Sequence, residues 1–169
     1  MTYIINAVCT GNICRSAMAE IVLKQAFAEA GLGVKVISKA ISDEEKGNPI
    51  DSRAVESLED KGFVVGEHKA KSITKTDLKE DNLFLAMTRK HAKYLLKIGA
   101  SGKKVYMYRQ FENSSSPEPY VNRDGSVDDI IDPWYGDQED FDIALDQIMD
   151  CTNNIVKFVE WEINYIGSE

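Results

Sequence analysis

The chain has 169 residues, with 20 Lys and Arg against 28 Asp and Glu, a formal net charge of −8, and 43% of its residues are apolar. At roughly 150 residues per domain this is one domain, 1–169, large enough to bury a core without disulfides or a structural metal. The ordinary composition excludes wholesale disorder or a fibrous fold, and the acidic balance argues against a general nucleic-acid binder or a protein held on anionic lipid, while leaving room for a local basic site.

No apolar run approaches the ~18 residues that span a bilayer, and Met1 to Val8 lacks the basic and long apolar regions of a signal peptide. The three cysteines, Cys9, Cys14 and Cys151, are an odd count that does not suggest a secreted disulfide framework. The expected compartment is the cytoplasm, with oligomeric state left open.

The short apolar run Met1–Val8 predicts a buried strand. Cys9–Arg15 is a polar loop, and Ser16 opens a helix on which Ala17, Ile21, Ala26 and Ala30 share an apolar side before Gly31 stops it. Val34–Ser38 predicts a second strand and Lys39–Ile50 a loop. A helix follows from Asp51 to about Lys61, stopped by Gly62. Leu83–Met87 predicts a buried strand, Thr88 to about Ile98 a helix ended by Gly99, and Val105–Tyr108 a fourth strand. Glu112–Asp132 is long and irregular, a kind of loop that is usually functional. From about Phe141, the spacing of Phe141, Leu145, Ile148, Met149, Ile155, Val156, Val159 and Ile163 predicts a long amphipathic helix. Strands alternating with helices define an α/β fold with a parallel sheet covered on both faces. Ligands of such sheets sit beyond the carboxyl ends of the strands, here first at the loop Cys9–Ser16.

That loop reads Cys9-Thr10-Gly11-Asn12-Ile13-Cys14-Arg15-Ser16. A helix N-terminus offers unpaired N–H groups and a partial positive charge, and a tight loop leading into it turns successive N–H groups inward as an anion nest. Gly11 and Asn12 tolerate the positive φ that such curling needs. The nest and Arg15 both favour the thiolate of Cys9. The Arg15 fork, six positions on, suits two oxygens of a tetrahedral oxyanion. Ser16 is expected to cap the helix or to serve the thiolate. An isolated Cys and Arg at this spacing is more often a buried cysteine beside a helix cap; the internal Gly and Asn, the second Cys, the following Ser and the flanking elements favour a phosphate site.

The run Cys9–Ser16 resembles the phosphate-binding loop of the low-molecular-weight protein tyrosine phosphatases. The resemblance extends over most of the chain: Asp132-Pro133-Trp134-Tyr135 is similar to that family's acid loop, His68-Lys69-Ala70 to its His-x-Ala segment, and Leu85-Ala86-Met87 to its central strand. It implies a four-stranded parallel sheet flanked by helices, with the phosphate-binding loop after the first strand. It also implies hydrolysis of phosphotyrosine in a phosphorylated protein substrate through a phosphocysteine intermediate, without a cofactor or metal. The catalytic residues are then Cys9 as nucleophile, Arg15 as oxyanion clamp and Asp132 as general acid and base. Thr10, Gly11, Asn12, Ile13, Cys14, Arg15 and Ser16 bind phosphate; Ile13, Glu44, Trp134 and Tyr135 meet the substrate. Cys14 is either a small buried hydrophobe or a resolving thiol that traps oxidised Cys9. His68 is expected to be a structural hydrogen-bonding histidine, His91 a solvated helix residue, and Cys151 buried and inert.

Several residues depart from the pattern. The stretch Asp43-Glu44-Glu45-Lys46-Gly47 makes an acidic cleft rim where the family usually carries an aromatic ring, and Thr88 stands where many relatives have Asp. Leu85-Ala86-Met87-Thr88 and Cys9-Thr10-Gly11-Asn12 are similar to a branch that dephosphorylates arginine, but that branch has Thr at the position of Ile13, which suits a phenyl ring. Protein arginine phosphatase is therefore the alternative. An arsenate reductase needs further relay cysteines, which are missing between Cys14 and Cys151. A non-enzymatic anion-binding module needs neither a nucleophile nor an acid.

Overall fold

The computed structural model describes residues 2–123 and 126–168. The elements run β1 (Tyr3–Cys9), α1 (Arg15–Glu29), β2 (Val34–Ala40), α2 (Ser52–Asp60), α3 (Lys75–Glu80), β3 (Leu83–Ala86), α4 (Arg89–Lys97), β4 (Val105–Met107), two 3-10 turns at Tyr108–Phe111 and Tyr120–Asn122, and α5 (Gln138–Ser168). The strands form one parallel sheet in the order β2-β1-β3-β4. The order reverses at β1, which places the carboxyl end of this strand at the crevice where ligands of open parallel sheets bind.

Alternate residues of the central strands serve opposite faces. Ile5, Ala7, Leu83 and Leu85 pack with Met18, Leu23 and Phe27 of α1, Leu58 of α2 and Leu145, Ile148 and Ile155 of α5. Val8, Phe84, Ala86, Val105 and Met107 pack against Ala92 and Leu95 of α4, with Leu78 of α3 at the edge. This burial of apolar area on both faces is the main stabilisation of the sheet.

Most predicted elements are present, and the differences have identifiable causes. α1 begins at Arg15 with Cys14 at the N-cap position, and no side chain caps it, because the Ser16 hydroxyl is engaged with Cys9. Its buried side is formed by Ala19, Val22, Leu23 and Phe27, while Ile21 and Ala26 are only partly buried and Ala30 is exposed. The predicted stripe was rotated because alanine is tolerated on either face, whereas the large side chains gain more by burial. Tyr108 belongs to a 3-10 turn rather than to β4. α3 lies within a segment with no helical periodicity; a single apolar residue, Leu78, faces the core, and a capping box between Thr74 and Asp77 fixes its start. α5 starts three residues earlier than the apolar spacing indicates, where Asp137 and Asp140 cap one another's backbone N–H groups. Gly62 and Gly99 end α2 and α4 with φ of +88° and +109°, the left-handed conformation that glycine adopts without cost.

Candidate active site

The loop between β1 and α1 curls around the sulfur of Cys9. The backbone N–H of Asn12 donates to Cys9 Sγ at 3.3 Å, and Ser16 Oγ lies 2.9 Å from the same sulfur. Asn12 makes this curl possible with a φ of +62°. Gly11 does not take the positive φ expected of it. A Cβ there would stand 3.0 Å from Glu45 Cγ, so a larger residue requires the Glu45 side chain to shift.

The Asn12 side chain points away from the cleft and binds the loop to the sheet. Its Nδ2 donates to Ser16 Oγ at 2.9 Å and Ser38 Oγ at 2.8 Å, and its Oδ1 accepts from the Lys71 N–H at 3.1 Å. His68 Nε2 sits 2.6 Å from the Asn12 carbonyl oxygen, the structural role expected of it. A left-handed residue under strain is thus held by five polar contacts, which is what keeps such a conformation in place.

Arg15 is almost fully buried, at 5% exposure. Its Nη1 donates to the Ile130 carbonyl at 3.1 Å, and its Nη2 lies 3.6 Å from Asp132 Oδ2. Cys9, Thr10, Gly11, Ile13, Cys14 and Arg15 line a cleft of about 160 Å³, closed on one side by Glu44 and Glu45 and on the other by Asp132, Trp134 and Tyr135. Residues 123 positions apart in sequence are therefore brought to one cavity. Asn12 and Ser16 do not line it; they act from behind the loop.

The segment carrying Asp132 is anchored at several points. The Ile130 N–H donates to the Met87 carbonyl at the end of β3, and the Ile131 N–H donates to Gln147 Oε1 on α5. Asp132 Oδ1 accepts from the Trp134 N–H at 3.1 Å. A Cβ on Gly136 would overlap the Asp140 side chain, so a larger residue there requires Asp140 to shift. Arg53 on α2 completes the clamp: it donates from Nη1 to the carbonyls of Trp134 and Gly136, pairs with Asp51, and lies over the rings of Trp134 and Phe141. Nothing in the sequence singled out Arg53, since a lone Arg early in a helix reads as surface charge.

His91 corrects an expectation. It is buried, not solvated, with Nε2 2.8 Å from Thr10 Oγ1 and Nδ1 3.0 Å from Thr88 Oγ1. Burial, and then the charge of Arg15, push its pKa down to about 3, so the ring is neutral. Cys14 and Cys151 are buried free thiols, as is Cys9. Burial raises the Cys14 thiol far above its usual range and that of Cys151 to about 12. Among the described residues there is no cluster of three His, Cys, Asp or Glu suited to a metal ion, and no helix is long and apolar enough to cross a membrane.

A loop curled around a cysteine sulfur, at the switch point of a parallel sheet and leading into a helix N-terminus, is the arrangement of a phosphate-handling α/β protein of cysteine type. Residues 4–164 match the family model "Low molecular weight phosphotyrosine protein phosphatase", and the chain belongs to that family. It is 36% identical over 137 residues to the low molecular weight protein-tyrosine phosphatase A of Mycobacterium tuberculosis, covering 80% of this chain and 78% of the relative. It is 31% identical over 146 residues to the low molecular weight phosphotyrosine protein phosphatase of Sus scrofa, covering 85% and 87%. Among solved structures, a mutant of YwlE from Bacillus subtilis superposes with a TM-score of 0.80 at 26% identity over 94% of this chain and 99% of that one. A further structure of YwlE is described as an arginine phosphatase with a phosphorylated active-site serine, at a TM-score of 0.77 and 26% identity over 93% and 95%.

Proposed function

We propose that this protein hydrolyses phosphotyrosine in phosphorylated proteins, with Cys9 as nucleophile, Arg15 as oxyanion clamp and Asp132 as proton donor and acceptor. The observation that carries this reading is that the three groups share one cleft, with the sulfur already facing an N–H and a hydroxyl.

In the first step the Cys9 thiolate attacks phosphorus opposite the phenolic oxygen. The S–P bond forms, the P–O bond to tyrosine breaks, and Asp132 passes its proton to the departing oxygen. Loop N–H groups and Arg15 hold the three equatorial oxygens as their charge rearranges. Water then attacks the phosphocysteine, Asp132 takes its proton, and inorganic phosphate leaves with regeneration of the thiolate. Trp134 and Tyr135 wall the entrance for an aromatic ring, and Ile13 gives that ring an apolar contact. The chemistry needs no cofactor. Three unpaired cysteines suit the reducing cytoplasm.

Protein arginine phosphatase remains the second reading, favoured by the likeness to YwlE. Parallel assays with phosphotyrosine and phosphoarginine peptides separate the two. Cys9→Ser tests the shared mechanism: turnover falls below about a hundredth while the fold and phosphate binding persist, because a covalent route has lost its nucleophile. Higher residual activity removes Cys9 from that role.

A further inference from the structure

Thr10 follows the nucleophile directly and lines the cleft. Its carbonyl is taken up by Ser42, which donates from both N and Oγ, at 3.2 and 3.0 Å. Its hydroxyl oxygen faces Nε2 of His91 at 2.8 Å. His91 is 1% exposed, and its other ring nitrogen faces Thr88 Oγ1, the N-cap oxygen of α4, which also accepts from the His91 backbone N–H. The arrangement is a chain of three groups, Thr88–His91–Thr10, running from the start of α4 to the start of the phosphate loop. The mechanism above makes no use of it.

Hydrogen-bond inventory allows the chain a direction that leaves a hydroxyl proton free at Thr10. A neutral imidazole has one N–H donor and one acceptor nitrogen. With the Thr88 oxygen accepting the His91 N–H at the helix cap, its hydroxyl proton is free to be donated to Nδ1. In that arrangement the ring proton stands on Nε2 and is donated to Thr10 Oγ1. A hydroxyl that accepts through its oxygen keeps its own proton for another partner. Thr10 lines the cleft, which makes an anion bound there the available partner. We propose that His91 is a positioning residue for the phosphatase reaction, holding Thr10 so that the Thr10 hydroxyl donates a hydrogen bond to the phosphoryl group beside the nucleophile.

The proposal rests on the phosphatase reading and deepens it. It adds a side-chain donor to the backbone N–H groups of the loop and ties that donor to α4. A hydrogen bond to a charged group whose loss leaves the oxyanion underserved changes rate by about 10- to 100-fold. Thr10→Val keeps the shape and removes the hydroxyl, Thr10→Ser keeps the hydroxyl, and His91→Leu removes the ring donor.

The experiment measures kcat and KM on a phosphotyrosine peptide, and inhibition by vanadate, for these three variants and for the double variant Thr10→Val/His91→Leu. Thermal melts are recorded alongside. Thr10→Val is expected to lower kcat/KM and weaken vanadate binding by about 10- to 100-fold, with Thr10→Ser within about threefold of the unaltered protein. The double variant is expected to be no worse than the more impaired single variant, since both remove one interaction.

Unaltered kinetics and vanadate inhibition in Thr10→Val overturn the proposal even where His91→Leu fails to fold. Additive losses in the double variant also overturn it, because they show His91 and Thr10 acting separately. Failure of the unaltered protein to hydrolyse any phosphopeptide instead overturns the phosphatase reading itself.

Discussion

Arg15 and Asp132 face one another across 3.6 Å at the floor and lip of one cleft, the guanidinium buried and the carboxylate half exposed. A phosphoryl group entering the loop adds negative charge beside the same guanidinium. In the proposed function, Arg15 exchanges its contact with Asp132 for two phosphoryl oxygens, which releases Asp132 for proton transfer to the leaving oxygen. On that reading the pair links substrate entry to release of the acid.

Asp132→Asn follows from that placement. It retains the Asx turn to the Trp134 N–H but carries no transferable proton. The expected loss in kcat is about 10²–10⁴ for phosphotyrosine and other poor leaving groups, and smaller for an activated leaving group that departs without a proton. Hydrolysis of phosphotyrosine and p-nitrophenyl phosphate checks this; equal losses on both remove Asp132 from proton transfer.

Oxidation probes Cys14. It is buried in the same loop as Cys9, and burial raises its thiol pKa, so only a minor thiolate fraction attacks and the disulfide forms slowly. Hydrogen peroxide converts Cys9 to a sulfenic acid. Attack by Cys14 on that sulfur forms the disulfide and releases water, and a thiol reductant restores activity. Mass mapping after mild peroxide is expected to find Cys9 joined to Cys14. A sulfinic Cys9 beside a free Cys14 assigns Cys14 to packing alone.

Ile13 lines the cleft and, in the proposed function, is expected to favour a phenyl ring over a guanidinium. A phosphoarginine loses a hydrogen-bond partner against this apolar wall, at about 1–3 kcal/mol, or about 5- to 150-fold in kcat/KM. Phosphotyrosine peptides are expected to be the better substrates, and Ile13→Thr to shift the ratio toward phosphoarginine. A preference for phosphoarginine in the unaltered protein exchanges the proposed function for its alternative.

Asp81 gives a pH-dependent term in stability. It is buried, accepts from Asn6 Nδ2 at 2.8 Å, and burial raises its pKa from 3.8 to about 6. The folded state thus binds the proton more tightly than the unfolded chain. The stabilisation from protonation is complete below about pH 4 and is lost as pH rises through about 6. Asp81→Asn removes this window, and its amide offers a donor to the partnerless Asn6 Oδ1. At pH 7 the variant is expected to be more stable by about 1–3 kcal/mol, with the advantage vanishing near pH 4. Urea unfolding at both pH values measures it; an equal difference at the two ends rules out Asp81 titration as the cause.

What the sequence by itself determined is local. Apolar runs and glycine stops placed the strands and most helices, since strand and helix periods are written in neighbouring residues. The spacing of Cys9 to Arg15 within one loop pointed to an anion site because all its parts lie within six positions of a strand end. The tertiary structure decided what depends on distant chain segments: that Asn12 rather than Gly11 carries the positive φ, that Arg53 clamps the acid loop, and that Asp132 meets Arg15. It also buried His91 against Thr10. A histidine between lysines on a short helix reads as solvated, because its local sequence carries no trace of the phosphate loop it packs against. Burial is set by which elements meet across the sheet, and that follows from the summed packing of the whole chain rather than from any one segment.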